Sequence, residues 1–209
     1  MTRLSTLFFL ILLLSFSSCG PFYRIVFGIK NPKMETFHSI NKYSKDLTID
    51  SVNVVFAKDS ASQLKLLRIF ARTPDILIFD GHKNFIPYKD DSITCNASVD
   101  YILQNVCTLQ KSTIFSKREV NYDSLFSCID DPNRCYPQNY HINSSYTVFI
   151  NFTKYMHGVN KTHLIPWNKI INDQKQPCPI KYVFVNLDYL CNWGMKQNSL
   201  PTLNMKQDN

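Results

Sequence analysis

The chain lacks the motifs of several common enzyme classes. Only five of its 209 residues are glycine, and none of them belongs to a glycine-rich loop of the kind that holds a phosphate or a dinucleotide. No serine has the G-x-S-x-G surroundings of a hydrolase nucleophile. The seven cysteines include no C-x-x-C pair, the arrangement typical of dithiol oxidoreductases. These absences argue against nucleotide-dependent, serine-hydrolase and ordinary dithiol chemistry.

The sequence also lacks a compact set of metal ligands. His157 and His163 lie six residues apart, and no Cys or His has the spacing of a zinc site. The adjacent carboxylates Asp90-Asp91 and Asp130-Asp131 are interpreted as turn and solvated residues rather than an acid/base pair. The net charge of +7 is dispersed over short alternations of sign, which does not predict nucleic-acid binding. We therefore expect no cofactor, no metal and no nucleic-acid partner.

The apolar run at residues 7–14 (LFFLILLL) is too short to cross a membrane, because a spanning helix needs about 20 apolar residues. It follows Arg3 and precedes a serine-rich stretch, residues 15–18 (SFSS), whose last two small residues lead into Cys19. A basic start, a short apolar core and a small-residue exit are the parts of a secretory signal peptide. The sequence therefore predicts an exported protein.

Ser17-Ser18-Cys19 resembles the lipobox of bacterial lipoproteins. The resemblance implies cleavage before Cys19 and attachment of lipid to that cysteine, so that the protein is anchored to a membrane of the cell envelope. Gly20-Pro21 places no aspartate after the lipid cysteine, which by family analogy favours the outer membrane, facing the periplasm. The alternative is an ordinary cleaved signal followed by an incidental cysteine.

The chain divides into six predicted segments. These are a signal peptide (1–18), a lipid-anchored linker (19–30), a strand-helix-strand-hairpin-helix half (31–107), an irregular connection with a cysteine loop (108–145), a second strand-helix-strand segment (146–196) and a polar tail (197–209). The chain that remains after removal of the predicted signal peptide is long enough, and apolar enough, to form one domain or two closely packed halves.

Cysteine content agrees with export, because six cysteines remain besides Cys19. Cys128 and Cys135 are the predicted disulfide pair, since Asp131-Pro132-Asn133 between them provides turn chemistry. A helix expected after Cys95 separates it from Cys107, and a strand separates Cys178 from Cys191, so neither of these pairs should form. The pairing of these four cysteines is otherwise left open.

Patterns of apolar residues predict the elements of the two halves. Helices are expected at 31–45, from Ser60 or Ser62 onward, at 97–106 and at 162–171. Strands are expected at 52–56, 73–80, 146–152 and 180–187, with residues 85–88 forming a hairpin with the second of them. Tyr146, Phe149, Phe152, Tyr155 and Trp167 are predicted to fill the core.

Two stretches together resemble thioredoxin-like proteins. Thr73-Pro74 before ILIFD, a turn, FIPY and a helix resembles the half of that family in which a cis proline begins a strand beside the redox site. YTVFINFTKYMHGVNK, before a helix and VFVNLD, resembles the half that carries Trp-Cys-Gly-Pro-Cys-Lys, with Met156 and Val159 at the cysteine positions. The resemblance implies a mixed α/β sheet with flanking helices, either circularly rearranged or built from two half-domains.

Without C-x-x-C, the resemblance implies a body that binds rather than catalyses. Thioredoxin relatives hold extended chains in a groove beside the cis proline, so the candidate peptide-binding residues are Thr73, Pro74, Tyr155, Met156, His157 and Gly158. The expected partners are a membrane, through the N-terminal lipid, and a protein or peptide. The alternative is an envelope thiol-disulfide oxidoreductase with unconventional cysteines, of which Cys95 is the leading candidate.

Overall fold

The structure is a computed structural model that describes residues 24–88, 99–109, 119–132, 144–173, 175 and 177–202. Cys19, Cys95 and Cys135 lie outside these ranges. Residues 24–26 are helical. The helices and strands with defined bounds are β1 (Met34–Glu35), α1 (Phe37–Asp46), β2 (Val54–Ala57), α2 (Ser60–Phe70), β3 (Ile76–Asp80), β4 (Phe85–Ile86), α3 (Val99–Gln104), α4 (Tyr122–Phe126), β5 (Ile129–Asp130), β6 (Tyr146–Phe152), α5 (His157–Asp173), β7 (Ile180–Asn186) and β8 (Tyr189–Leu190).

Six strands form one mixed sheet in the order β4-β3-β6-β7-β2-β5. The central strands β6, β7 and β2 are parallel, and β3, β4 and β5 each run antiparallel to a neighbour. Helices cover both faces, which confirms the predicted α/β class with a mixed sheet and flanking helices. Strands from residues 31–107 and from residues 146–196 contribute to the same sheet, and β1 pairs with β8 in a separate parallel ribbon.

The central strands are apolar throughout because both of their faces are covered. Val148, Ile150 and Phe152 point into a layer that contains α1, α3 and α5, and Phe149 points into the opposite layer with α2 and α4. Trp167 of α5 is 1% exposed. Removing such a side chain typically costs about 3–5 kcal/mol, so Trp167 contributes strongly to the stability of the layer that contains α1, α3 and α5.

Several helices begin at residues other than those predicted, and for two of them local hydrogen bonds explain the difference. Helix α1 begins at Phe37 rather than at residue 31, because Thr36 and Ser39 form a capping box and Met34–Glu35 is a strand. Helix α2 is capped by Asp59 rather than by Ser60 or Ser62. Helix α5 begins at His157, five residues before the predicted start.

The cysteines differ from the predicted pairing. Cys107 is bonded to Cys178 across a Cα separation of 5.8 Å, which agrees with the expectation that Cys107 does not pair with Cys95 nor Cys178 with Cys191. Cys128 is a free, buried thiol whose Sγ lies 3.3 Å from the carbonyl oxygen of Ser124, so the predicted bond to Cys135 is not made. Cys191 is free and exposed.

Candidate functional site

The turn before β3 is held by a side chain of the neighbouring strand. The Thr73-Pro74 peptide bond is cis, and Pro74 is buried. Asn151 of β6 donates from Nδ2 to the Arg72 carbonyl and to Thr73 Oγ1, and its Oδ1 accepts the Asp75 N–H at 2.6 Å. The antiparallel pairing of β3 with β6 places this turn beside the carboxyl end of β6.

The end of β6 leads through a single 3-10 turn into α5. Tyr155 and Met156 lie in that turn, and His157 and Gly158 are the first residues of the helix. All four are partly buried, and Val159 behind them is buried. The carboxyl ends of parallel strands are where ligand sites of α/β proteins form, so this strand-to-helix junction is a candidate site.

A segment before β1 covers the start of α5. The Gly158 N–H donates to the carbonyl oxygen of Phe27 at 2.9 Å, and the Lys30 N–H donates to the carbonyl oxygen of Tyr155 at 2.8 Å. Gly28 adopts a positive φ of 57°, a conformation that glycine reaches without steric cost. Residues 27–30, predicted as part of a linker, therefore pack on the helix entry as a fixed part of the body.

A cavity of about 350 Å³ opens beside this contact. Of the six predicted groove residues, Tyr155 and His157 line it. The other lining residues are Lys30, Asn31, Lys33, Glu35, Tyr43, Lys154 and Asp188. The cavity therefore lies on the side of α5 that faces residues 30–35, whereas Thr73 and Pro74 belong to the Asn151 network and are not among its lining residues.

Asp188 is the most perturbed carboxyl group of the cavity. Its Oδ2 accepts the Lys154 N–H at 2.7 Å and the Asn186 Nδ2 at 2.8 Å, yet the residue is only 2% exposed. Burial raises the pKa of this carboxyl to about 7 against the lowering effect of these hydrogen bonds. Asp188 is therefore partly protonated at neutral pH.

The second carboxylate is neutralised by a lysine. Glu35 Oε2 lies 2.7 Å from Lys154 Nζ and also accepts a hydrogen bond from Ser39 Oγ. The β1–β8 ribbon pairs Glu35 with Leu190, which brings this ion pair next to Asp188. The Glu35–Lys154 pair thus contributes little net charge.

The aromatic side chains form the wall near α5. Tyr43 Oη accepts a hydrogen bond from Asn160 Nδ2 at 3.0 Å, and its ring centre lies 5.6 Å from that of His157. Burial raises the pKa of both Tyr43 and Tyr155 to about 12, so both hydroxyls stay protonated. Burial, followed by the charges of Lys161 and Lys30, lowers the pKa of His157.

Sequence reasoning found the junction but missed most of the cavity. Lys30, Lys33 and Glu35 belong to one short segment, Tyr43 belongs to α1 and Asp188 follows β7, and these residues carry no shared motif. One signal was available, because Asp188 lies two residues after the end of the apolar strand β7, and a polar residue there lies at the edge of the sheet where sites form.

Within the described ranges, no group of three or more Asp, Glu, His or Cys side chains converges as a metal site would require. Nor does a helix of sufficient length and apolarity to cross a membrane occur among these residues. Comparison with known proteins gave no match to a protein-family model, to a curated protein or to a solved structure.

Proposed function

We propose that this is an exported, lipid-anchored envelope protein whose thioredoxin-like body binds a protein or peptide and performs no thiol chemistry. One observation supports the binding role: a cavity of about 350 Å³ lies at the junction before α5, next to residues 27–30, which two main-chain hydrogen bonds hold in place. Peptide-binding surfaces commonly use main-chain hydrogen bonds for affinity and nearby pockets for selectivity. The cavity beside Tyr155 and His157 provides such a pocket.

The absence of thiols at this junction supports a non-catalytic role. Met156 and Val159 occupy the positions that correspond to the two cysteines of thioredoxins, and Val159 is buried. The free thiols of the described residues are Cys128, which is buried in the α2/α4 layer, and Cys191, which follows β8. Neither lies in the 3-10 turn or the first helical turn where a thiolate would be stabilised.

Exposed apolar side chains that follow Cys19 closely in the sequence support the anchor. Ile25 and Val26 are 79% and 57% exposed. A bilayer close to Cys19 would cover these apolar side chains, and the proposed location is the periplasmic face of the outer membrane.

Labelled palmitate tests the anchor. Expressed in a Gram-negative bacterium, the protein should incorporate the label and partition with membranes, whereas Cys19→Ser should lose both properties. Cys191→Ser is the matched control, since it removes an exposed free thiol and should keep the label. Unlabelled, soluble wild-type protein would reject the lipoprotein assignment.

A site-specific photo-crosslinker tests the binding surface. Placed at Met156 in the full chain, it should give a discrete protein adduct in cells that produce the protein naturally. The control places the same crosslinker at Leu64, a 51% exposed position on α2. Identical adducts from both positions would argue against a binding surface at the α5 junction.

An insulin-reduction assay tests the oxidoreductase alternative. The wild-type protein should show no turnover above background in this assay. In a separate measurement with a thiol reagent, Cys191 should react in the folded protein, whereas Cys128 should react only after unfolding. Turnover that Cys95→Ser abolishes would establish the alternative and contradict the proposal.

A further inference from the structure

We propose that the cavity between residues 30–35 and the start of α5 is a binding site for a carboxylate group, which Lys30 and Lys33 hold at its mouth. The inference deepens the proposed binding function and rests on it for its biological role. The binding itself depends only on the side chains of the cavity. It can therefore be tested whether or not the protein is lipid-anchored.

The cavity is built by parts of the chain that the six-stranded sheet does not include. One wall is the segment that contains Lys30 and Lys33. This segment can pack against α5 only because residue 158 is glycine, since a Cβ atom on residue 158 would lie 2.1 Å from the Phe27 oxygen. Another wall is the β1–β8 ribbon, which positions Glu35. These additions enclose a space beside the carboxyl ends of β6 and β7, where α/β proteins bind ligands.

The side chains that line the cavity carry a net positive charge. Lys154 is paired with Glu35, and Asp188 carries only part of a charge because burial raises its pKa. Among the described residues, the ammonium groups of Lys30 and Lys33 have no carboxylate partner, although both residues line the cavity. The charge of Lys30 also contributes to lowering the pKa of His157. The ammonium group of Lys30 therefore influences a side chain on the opposite wall of the cavity.

The size and the inner groups of the cavity favour a carboxylate. A volume of about 350 Å³ is near the lower end of the range for small-molecule sites, which suits a small acid or the end of a peptide. A phosphate dianion would concentrate two negative charges on one group close to the carboxyl groups of Glu35 and Asp188, and like charges at short range disfavour each other. Each carboxylate group of an organic acid carries only one negative charge, which the two lysines can balance.

Calorimetry on the purified full-length protein tests the proposal with defined probes. The probes are succinate, citrate, inorganic phosphate, and tetra-alanine with either a free carboxylate or an amide at its C-terminus, all at matched ionic strength. Lys30→Gln/Lys33→Gln should weaken carboxylate binding by at least about tenfold. Lys65→Gln/Lys169→Gln is the control, because it removes two exposed lysines of α2 and α5 and should change the Kd less than about twofold.

An independent readout places the bound group at the mouth. In NMR titrations, the pKa of His157 should rise when Lys30 is replaced by Gln and should rise when a carboxylate binds, because each change makes the surroundings of the imidazole less positive. Binding of succinate or citrate supports a free acid as the ligand. Binding of tetra-alanine acid but not of its amide supports a peptide C-terminus.

Three results would overturn the proposal. The first is that no carboxylate probe binds with a Kd of about 1 mM or below. The second is an equal loss of binding in both double variants, which would show a general charge effect. The third is binding of phosphate without binding of any carboxylate. Loss of palmitate labelling in the anchor test would leave each of these results unchanged.

Discussion

The backbone N–H of Gly158 donates a 2.9 Å hydrogen bond to the carbonyl oxygen of Phe27, and a Cβ atom on residue 158 would lie 2.1 Å from that oxygen. The absence of a side chain at this one position therefore allows residues 27–30 to dock on α5. The same docking places Lys30 at the cavity mouth. A glycine that sequence analysis placed in a peptide groove thus positions the chain's own segment.

Gly158→Ala should destabilise the protein by about 1–3 kcal/mol, the usual cost of forcing extra volume into a packed contact. Glycine to alanine inside a helix otherwise stabilises by about 0.5–1 kcal/mol, so the sign of the change is diagnostic. Urea unfolding measures the stability, and limited trypsin digestion at Arg24 and Lys30 measures release of the segment. Lys161→Ala, one turn along the same helix, should leave both measurements nearly unchanged. An increase in unfolding free energy for Gly158→Ala would show that the Phe27 contact is not made.

The sequence predicted the elements whose signals are local. Strand β6 was predicted with its observed bounds, Tyr146–Phe152, because a run of seven residues buried on both faces is easy to recognise. Strand β7 differed by one residue at its end. Helix α4 and strand β5 were missed inside the segment predicted as an irregular connection, since elements of five and two residues are too short to show a period.

The cavity could not be predicted because long-range pairing creates it. The β1–β8 ribbon joins residues that are about 155 positions apart, and two-residue strands carry no pattern of their own. The disulfide Cys107–Cys178 has a sequence separation of 71. Sequence arguments excluded incompatible cysteine pairs by distance, but they favoured the nearby Cys135 as the partner of Cys128 because the turn between them was visible and the fold was not.

Replacing both cysteines of the observed disulfide should cost about 4 kcal/mol of unfolding free energy. The chain-entropy model gives this value for a closed loop of 71 residues. Cys107→Ala/Cys178→Ala should therefore lower the urea midpoint strongly. Cys128→Ala should have a smaller effect, because it removes one buried sulfur that closes no loop. Equal midpoints for the wild-type protein and the Cys107/Cys178 variant would contradict this pairing.

Asn151→Ala should cost about 2–3 kcal/mol, because it leaves buried backbone groups of the Thr73-Pro74 turn without hydrogen-bond partners. The Asn151 amide bonds to the Arg72 carbonyl and the Asp75 N–H. Hydrogen exchange should show faster exchange at the Asp75 amide in the variant. Asn192→Ala, at an exposed position, is the control and should change stability by less than about 0.5 kcal/mol. An unchanged exchange rate at Asp75 would show that Asn151 does not hold this turn.

Asp188→Asn should remove a pH dependence of stability between about pH 4 and pH 7. The pKa of Asp188 is raised from an ordinary value of 3.8 to about 7 in the folded state, so the folded protein binds more protons than the unfolded chain in this range. Unfolding free energy therefore falls as pH rises. A shift of about three pH units corresponds to about 4 kcal/mol.

Asparagine keeps an oxygen that can accept the Lys154 N–H and has no charge to desolvate. The variant should consequently gain stability relative to the wild-type protein by about 4 kcal/mol between pH 4 and pH 8, as measured by urea unfolding at each pH. Asp46→Asn changes an exposed carboxylate of α1 and should keep the wild-type dependence. If the stability difference between Asp188→Asn and the wild-type protein is the same at both ends of the range, Asp188 titrates as an ordinary carboxylate. Asp188 would then carry a full negative charge at neutral pH instead of part of one, and the carboxylate site would lose part of its electrostatic basis.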